Sequence, residues 1–489
     1  MSNTLAKKPS SHPFWLYVVT AAYVAAALYM LVKKESYLFF ALPVVLGVLM
    51  LYVYSLDKVM FLVALVTPLS INLEHIMGNM SLSIPAEPLL IGLLCVYLAH
   101  LVLQGPYDRK ISSHPISIVV FCLLVWYVFT AITSELPVVS IKFFLSRLWF
   151  IVPSFFLCAF LFKDRKNIDR FVWMYILGLL IVVVYTILKH SRWGFSNQSS
   201  HWVMTPFYND HTSYGAAVAI YFVMAVTYAC LPDLRLRNRV VATGVSVLLG
   251  VALMLSQCRA AWISIMAVVA ILVCVLMKIK FRWILTAVVV LFAGAMFFQN
   301  QIIDALEKNN QDSSGNVIEN IRSMTNITTD DSNLERINRW QSAFRLFKER
   351  PITGWGPGTY QFVYAPYQKS TEKTVISTNL GDAGNAHSEY FGALAEMGII
   401  GFALMVALVS VVIYSGLRAY RRASDKSVKV LALGATLAVA GYFTHGFLNN
   451  FLDTDKLAVP VWSCIAIIAA IDIYHSNGTE TVKSEEPEA

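Results

Sequence analysis

The sequence predicts an all-α membrane protein with about fourteen transmembrane helices, in a range of twelve to fourteen. Hydrophobic residues make up 57% of the 489 and charged residues only 14%. With a positive mean hydropathy, that balance leaves too much apolar surface for a fold bathed in water. Apolar runs of about 20 residues, the length a bilayer core requires, recur along the chain. The net charge of +8 does not single out a nucleic-acid partner. Lys and Arg gather between the apolar runs, where membrane orientation puts them.

Taken in order, the runs fall at residues 14–32, 37–55, 59–72, 85–103, 115–133, 140–162, 171–189, 212–231, 240–257, 260–277 and 282–298, then 389–417, 428–447 and 457–475. The first follows Lys7 and Lys8 and is long for a signal peptide, so it reads as a retained span. The third is short and holds Pro68, which marks it as broken or re-entrant. Most of the seven cysteines sit inside apolar runs and none forms a Cys-x-x-Cys pair, against a disulfide framework or a zinc site. Four parts follow: an N-terminal bundle of about eleven helices over 1–298, a large loop over 299–388, about three helices over 389–475, and a tail over 476–489.

Charge sets the orientation. With the N-terminus in the cytoplasm, the inner connections carry Arg109/Lys110, Lys163/Arg165/Lys166/Arg170, Arg235/Arg237/Arg239, Lys278/Lys280/Arg282 and Arg418/Arg421/Arg422/Lys426/Lys429. The short outer connections carry few, Lys33 and Lys34 being the main exception. The positive-inside rule then puts both termini in the cytoplasm and the long loop outside.

A loop of that length is functional or disordered. Its first part, through Asp312-Ser313-Ser314-Gly315 and Thr328-Thr329-Asp330-Asp331, is polar. Leu334, Ile337, Trp340, Phe344 and Phe347 then recur at helical spacing, opposite Arg339, Arg345 and Lys348. An amphipathic helix lying on the membrane is the plain reading of that stretch. Pro351 ends it, and Gly354-Trp355-Gly356-Pro357-Gly358 makes a tight turn.

The candidate chemistry begins where the loop closes, at His387-Ser388. His387 stands at the mouth of the twelfth run, with an ordinary pKa suited to taking a proton near neutrality. Gly398 and Gly401 share a helical face and allow close packing there. Glu396 lies about 13 Å deeper, where an ionisable group is either functional or paired. Arg259 breaks the rule that short outer connections avoid positive charge. Arg336 and Arg339 stand on the outer amphipathic helix, and Lys142 and Arg147 on the outer half of the sixth run. Fixed cations of this kind hold a diphosphate, although Lys142 and Arg147 equally fit snorkelling to lipid headgroups. In Asn209-Asp210-His211-Thr212, Asp210 or Thr212 fits a helix N-cap, and His211 fits the wall of a cleft. No P-loop and no His-Glu-x-x-His motif occurs. Neither a metal nor a cofactor is expected, and donor activation falls to protein cations.

These residues resemble the superfamily of O-antigen ligases and polymerases. The resemblance runs through Arg336-x-x-x-Trp340, Glu349-Arg350-Pro351-Ile352-Thr353-Gly354-Trp355-Gly356-Pro357-Gly358 and His387-Ser388-x9-Gly398-x-x-Gly401, with Ser256-Gln257-Cys258-Arg259-Ala260-Ala261-Trp262 upstream. It covers about 205 to 450. It implies a GT-C-like fold in the bacterial inner membrane, a polyprenyl-pyrophosphate-linked glycan as donor, and an acceptor sugar on lipid A–core or on another glycan. It also implies that His387 is the general base and that Arg259 and Arg336 neutralise the departing pyrophosphate as the sugar inverts. The residues leave ligase and polymerase open, with a lipid-linked sugar flippase as the rival of another class. The absence of repeated halves counts against the flippase.

Overall fold

The computed structural model of the chain describes residues 14–34, 38–73, 82–279, 331–370, 373, 377 and 384–476. These are mostly helical. Their one ribbon pairs Ile71–Asn72 antiparallel with Ser83–Ile84. Contacts divide the chain into two units, Met1–Val59 and Met60–Ala489. The first contains helices α1 (Phe14–Lys34) and α2 (Leu38–Tyr54), at the first two expected runs.

Ten helices among the described residues are long and apolar enough to cross a membrane, so the chain is a multi-pass membrane protein. The third expected run is not among them. It forms a short helix, α3 (Leu56–Val66), closed by a 3₁₀ turn at Thr67–Leu69 that contains Pro68. Eleven residues reach only about 16 Å, roughly half a bilayer core. The ten long helices are α4 (Ala86–Gln104), α5 (Pro115–Ile132), α6 (Pro137–Leu161), α7 (Arg165–Ser191), α8 (His211–Ala229), α9 (Leu236–Leu255) and α10 (Arg259–Leu276), followed after the loop helix α11 (Asp331–Glu349) by α12 (Glu389–Arg422), α13 (Lys426–His445) and α14 (Asp455–His475). Each coincides with an expected run. The run at 282–298 and the first part of the loop lie outside the described residues.

Several helices begin before their apolar run, because caps add a polar first turn that hydropathy does not register. Asp164 accepts from Lys166 N at 3.0 Å and starts α7 six residues early. Asp425 does the same for α13 through Ser427 N and Val428 N. Each such cap satisfies amides that would otherwise lack partners.

Burial separates the helices into centre and rim. The apolar windows of α13 and α14 are 83% and 89% buried, against 22% for α10 and 28% for α9. Small residues let the centre pack: a Cβ on Gly434 would collide with Thr227, and one on Gly416 with Thr436. The connections fall into two sets. One set joins His114 and Arg418 to Asp472, Tyr474 to Asp108, and Ser427 to Asp233. The other set holds the candidate site.

α12 is not continuous. At Gly398 the backbone takes φ 67°, ψ −166°, which only glycine adopts cheaply. The expected helical face shared by Gly398 and Gly401 is therefore corrected: Gly398 is a break, and the close approach it allows is to Ile352. The carbonyls released by the break are taken up from outside the helix. Ala395 O accepts Trp355 N at 3.1 Å, Glu396 O accepts Gly356 N at 2.8 Å, and Met397 O accepts Trp126 Nε1 at 2.9 Å. In return, Ile399 N donates to Pro351 O at 2.9 Å. Buried backbone groups need partners of this kind. Segment 351–356 is thus a plug that fills a helix break.

A Cβ at Gly398 would meet the carbonyl of Ile352 as well as an unfavourable φ. Gly398→Ala is expected to cost at least about 2 kcal/mol, read as a lowered apparent melting temperature of the purified protein. Gly244→Ala, on an open face of α9, is expected to leave that temperature unchanged or higher.

Candidate functional site

The loop helix α11 departs from its expected exposure. Its polar side is buried: Glu335, Asn338, Arg339 and Ser342 are all less than 5% exposed. Arg339 Nε donates to Glu335 Oε1 at 2.6 Å, and the guanidinium lies 4.1 Å from the centre of the Tyr364 ring. Asn338 Nδ2 donates to Gln368 Oε1 at 2.8 Å, and Ser377 donates to Glu335. The aromatic side turns to the helices, where Trp340 meets Phe391 and Phe447 at centroid distances of 5.3 and 5.5 Å. The 3.6-residue period is as read from the sequence, but α11 is packed on both faces instead of resting on a surface. Ala343, Leu346, Tyr360, Tyr364, Ala386 and Ala395 form a core that ties α11, the turn and α12 together.

His387 precedes α12 in a left-handed backbone conformation, φ 49°. Asn385 Oδ1 accepts its amide at 3.1 Å, and its carbonyl accepts Trp340 Nε1 at 3.3 Å. Ser388 caps the helix through Tyr390 N and Phe391 N. Backbone bonds on both sides thus fix where the imidazole stands. Burial pushes its pKa down to about 4, and the nearby Arg336 and Arg339 push the same way against Glu335 and Asp210. The ring is therefore neutral at pH 7, with a lone pair available.

Other connections converge on the same place. Arg336 Nε donates to Leu448 O at 3.3 Å, linking α11 to the segment after α13. Arg259 opens α10 and, together with burial, lowers the pKa of His201. The His201 ring stands 4.2 Å from that of His211. Asp210 is the N-cap of α8, accepting Thr212 N at 2.8 Å and Ser213 N at 2.7 Å, yet it stays within electrostatic reach of His387. Cys258, pushed up to about 12 mainly by burial, also feels Asp210 and Arg336. The structure therefore brings together His387, Arg336, Arg339, Arg259 and His211. Among the described residues, no three of His, Cys, Asp and Glu converge to hold a metal ion.

The remaining expected residues lie elsewhere. Lys142 is exposed on α6. Arg147, on the same helix, is 7% exposed, donates to Leu452 O, and packs against the Phe143 ring. Glu396 Oε1 accepts Tyr360 N at 3.0 Å, so it anchors the turn. Arg147 and Glu396 line one polar cavity of about 150 Å³. Sequence reasoning missed Glu389 and Asp453, which share that cavity. Glu389 Oε1 accepts Tyr442 Oη, Phe451 N and Leu452 N within 2.9 Å. An acid directly after the capping Ser388 was the available signal for it. His201 and His445 were also missed, the latter 3.8 Å from Cys258 Sγ.

Residues 244–406 match the pattern of a protein family described as O-antigen ligase. The match bears out the resemblance read from the motifs and, over this segment, supports the superfamily of O-antigen ligases and polymerases, which are glycosyltransferases acting on glycans. A comparison with curated proteins finds no match.

The buried Arg339–Glu335 pair generates a direct test. Arg339→Ala leaves Glu335 without its cation and is expected to destabilise α11 by about 3–5 kcal/mol. Hydrogen exchange of the α11 amides checks this, with protection falling by the same free energy. The double change Arg339→Met with Glu335→Leu is expected to cost less than Arg339→Ala alone.

Proposed function

We propose that the protein is an O-antigen ligase-type, inverting glycosyltransferase of the bacterial inner membrane. It moves a glycan from a polyprenyl pyrophosphate carrier to a sugar hydroxyl of lipid A–core on the periplasmic face. The observation that carries this reading is the convergence of a neutral, backbone-fixed histidine with arginines from two separate connections.

His387 takes the proton of the acceptor hydroxyl as its oxygen attacks the anomeric carbon of the donor sugar. The bond from that carbon to the pyrophosphate oxygen breaks, and the electron pair leaves with the pyrophosphate. Negative charge therefore grows on the leaving group, where Arg259 and Arg336 offset it. Attack from the face opposite the leaving group inverts the sugar. Trp340 and Asn385 position the base through backbone bonds. His211 and Arg339 border the same region. The chemistry consumes no ATP and asks for no divalent metal.

Removing the base is expected to lower turnover by about 10²–10⁴-fold in His387→Ala, measured with purified protein, lipid-pyrophosphate glycan and acceptor. Arg259→Ala is expected to lower it by roughly 10²–10³-fold. Full transfer by either variant would sink the mechanism. On a gel of envelope glycans from a deletion strain, loss of all long chains from the lipid core supports a ligase. Single-repeat caps there point to a polymerase, and donor trapped on the inner leaflet to a flippase.

The pH profile carries a further expectation. In the free protein burial, with Arg336 and Arg339 adding to it, holds His387 down, so the acid limb of kcat/KM is expected near pH 4. A bound diphosphate offsets those arginines and raises the His387 pKa, which makes it a stronger base. Lowering the pH protonates the ring and removes activity, so the acid limb of kcat is expected at higher pH than that of kcat/KM. Coincident limbs would show that the arginines and the base are not coupled through the donor.

A further inference from the structure

The cavity that holds Arg147 and Glu396 differs in charge from the arginine cluster. Three carboxylates face it, those of Glu389, Glu396 and Asp453, against one guanidinium, that of Arg147. Asp453 is exposed and Glu396 is half-buried, whereas Arg147 and Glu389 are 7% and 5% exposed. Asn385 and Asn450 add amides, and Tyr127 and Phe143 add ring faces. Two of these groups are short of partners. Arg147 Nε and Asn450 Oδ1 have no hydrogen bond among the described residues, an expensive state for buried polar atoms.

The charge balance decides what such a cavity takes. A phosphate or carboxylate entering it would face three carboxyl groups with only one guanidinium to receive it. A ligand dense in hydroxyls can donate to the carboxyl groups and to Asn450 Oδ1, accept from Arg147 Nε, and lay its C–H face on an aromatic ring. The volume holds roughly five waters, about the space of one sugar ring. Ala386 and Ser388, which flank His387, both line the cavity, while the charge around His387 is set by Arg336 and Arg339. His387 therefore stands at the boundary between a cationic region and an acidic one.

We infer that this cavity is the subsite of the acceptor: it binds one uncharged sugar ring through Asp453, Glu396, Arg147 and Asn450, and it excludes acidic sugars. The inference rests on the glycan-transfer reading above and adds to it a division of labour, with the charged donor on the arginines and the neutral acceptor among the carboxylates. Arg147 then recognises sugar hydroxyls, not the diphosphate.

Binding and transfer are tested separately, with the full-length protein in lipid nanodiscs. Saturation-transfer NMR uses a mixture of the methyl α-pyranosides of glucose, galactose and mannose, and in parallel methyl α-glucuronide. The neutral mixture is expected to give signal and the glucuronide none. Asp453→Ala combined with Asn450→Ala is expected to weaken the neutral signal about tenfold. Glu396→Gln combined with Asp453→Asn is expected to admit the glucuronide. In transfer assays, the Asp453→Ala and Asn450→Ala pair is expected to raise the acceptor KM about tenfold with the donor KM unchanged. Equal wild-type signals from neutral and acidic probes would overturn the inference, as would a neutral signal unaffected by the double change. If wild-type protein transfers no glycan but binds neutral pyranosides in a manner that depends on Asp453, the subsite stands and the ligase reading falls.

Discussion

The candidate site depends on the break in α12 and the segment that fills it. A transmembrane helix interrupted at Gly398 leaves carbonyls that lipid cannot satisfy, each worth several kcal/mol if left bare. Trp355, Gly356 and Trp126 supply the missing donors, and Pro351 returns an acceptor. This exchange pins the loop to the bundle. Arg350 reinforces it from outside by donating to Glu135 Oε2 at 2.6 Å and stacking on Trp355 at 4.1 Å. Once the turn is seated, the amide of Tyr360 meets Glu396, and the core of Tyr360, Tyr364 and Leu346 closes under α11. The positions of Arg336 and His387 follow from that closure.

The same arrangement accounts for the electrostatics. α11 carries its cations into a protein interior because Glu335 travels with them and because Tyr364 covers Arg339. Such a pair contributes little net stability, but it fixes geometry when its remaining hydrogen bonds are made. Here Ser377 and Asn338 make them. Arg339 adds to the positive field at His387, while Arg336 stands nearer the bundle at Leu448.

Much of the helical fold was legible, because hydropathy and the alternation of basic connections depend on the bilayer and little else. Elements governed by particular partners were not. Gly398-x-x-Gly401 reads as a small-residue packing face, and nothing local distinguishes that from a break filled by distant residues. Glu335 and Arg339 have the spacing of an ordinary surface pair, and their burial depends on segment 360–368 folding over them. In the site, His387, Arg259 and Arg336 stood out as polar residues at the mouths of apolar runs. Asp453, Asn450 and Glu389 did not, because their meaning comes from enclosing a cavity with Arg147, a residue far away in sequence.

The unequal burial of the helices has a consequence for how the protein is made. α13 and α14 are enclosed on nearly all sides, yet in chain order they come after every other described helix. Helices such as α9 and α10 enter the bilayer first and must wait in lipid, with the faces that receive the centre still open. Assembly therefore completes late: the earlier helices, the largely buried α8 among them, have to stay loose enough to admit a hairpin carrying Lys456, Asp455 and His445. A chain halted between α12 and α13 would hold most of its membrane mass and lack its two most buried spans.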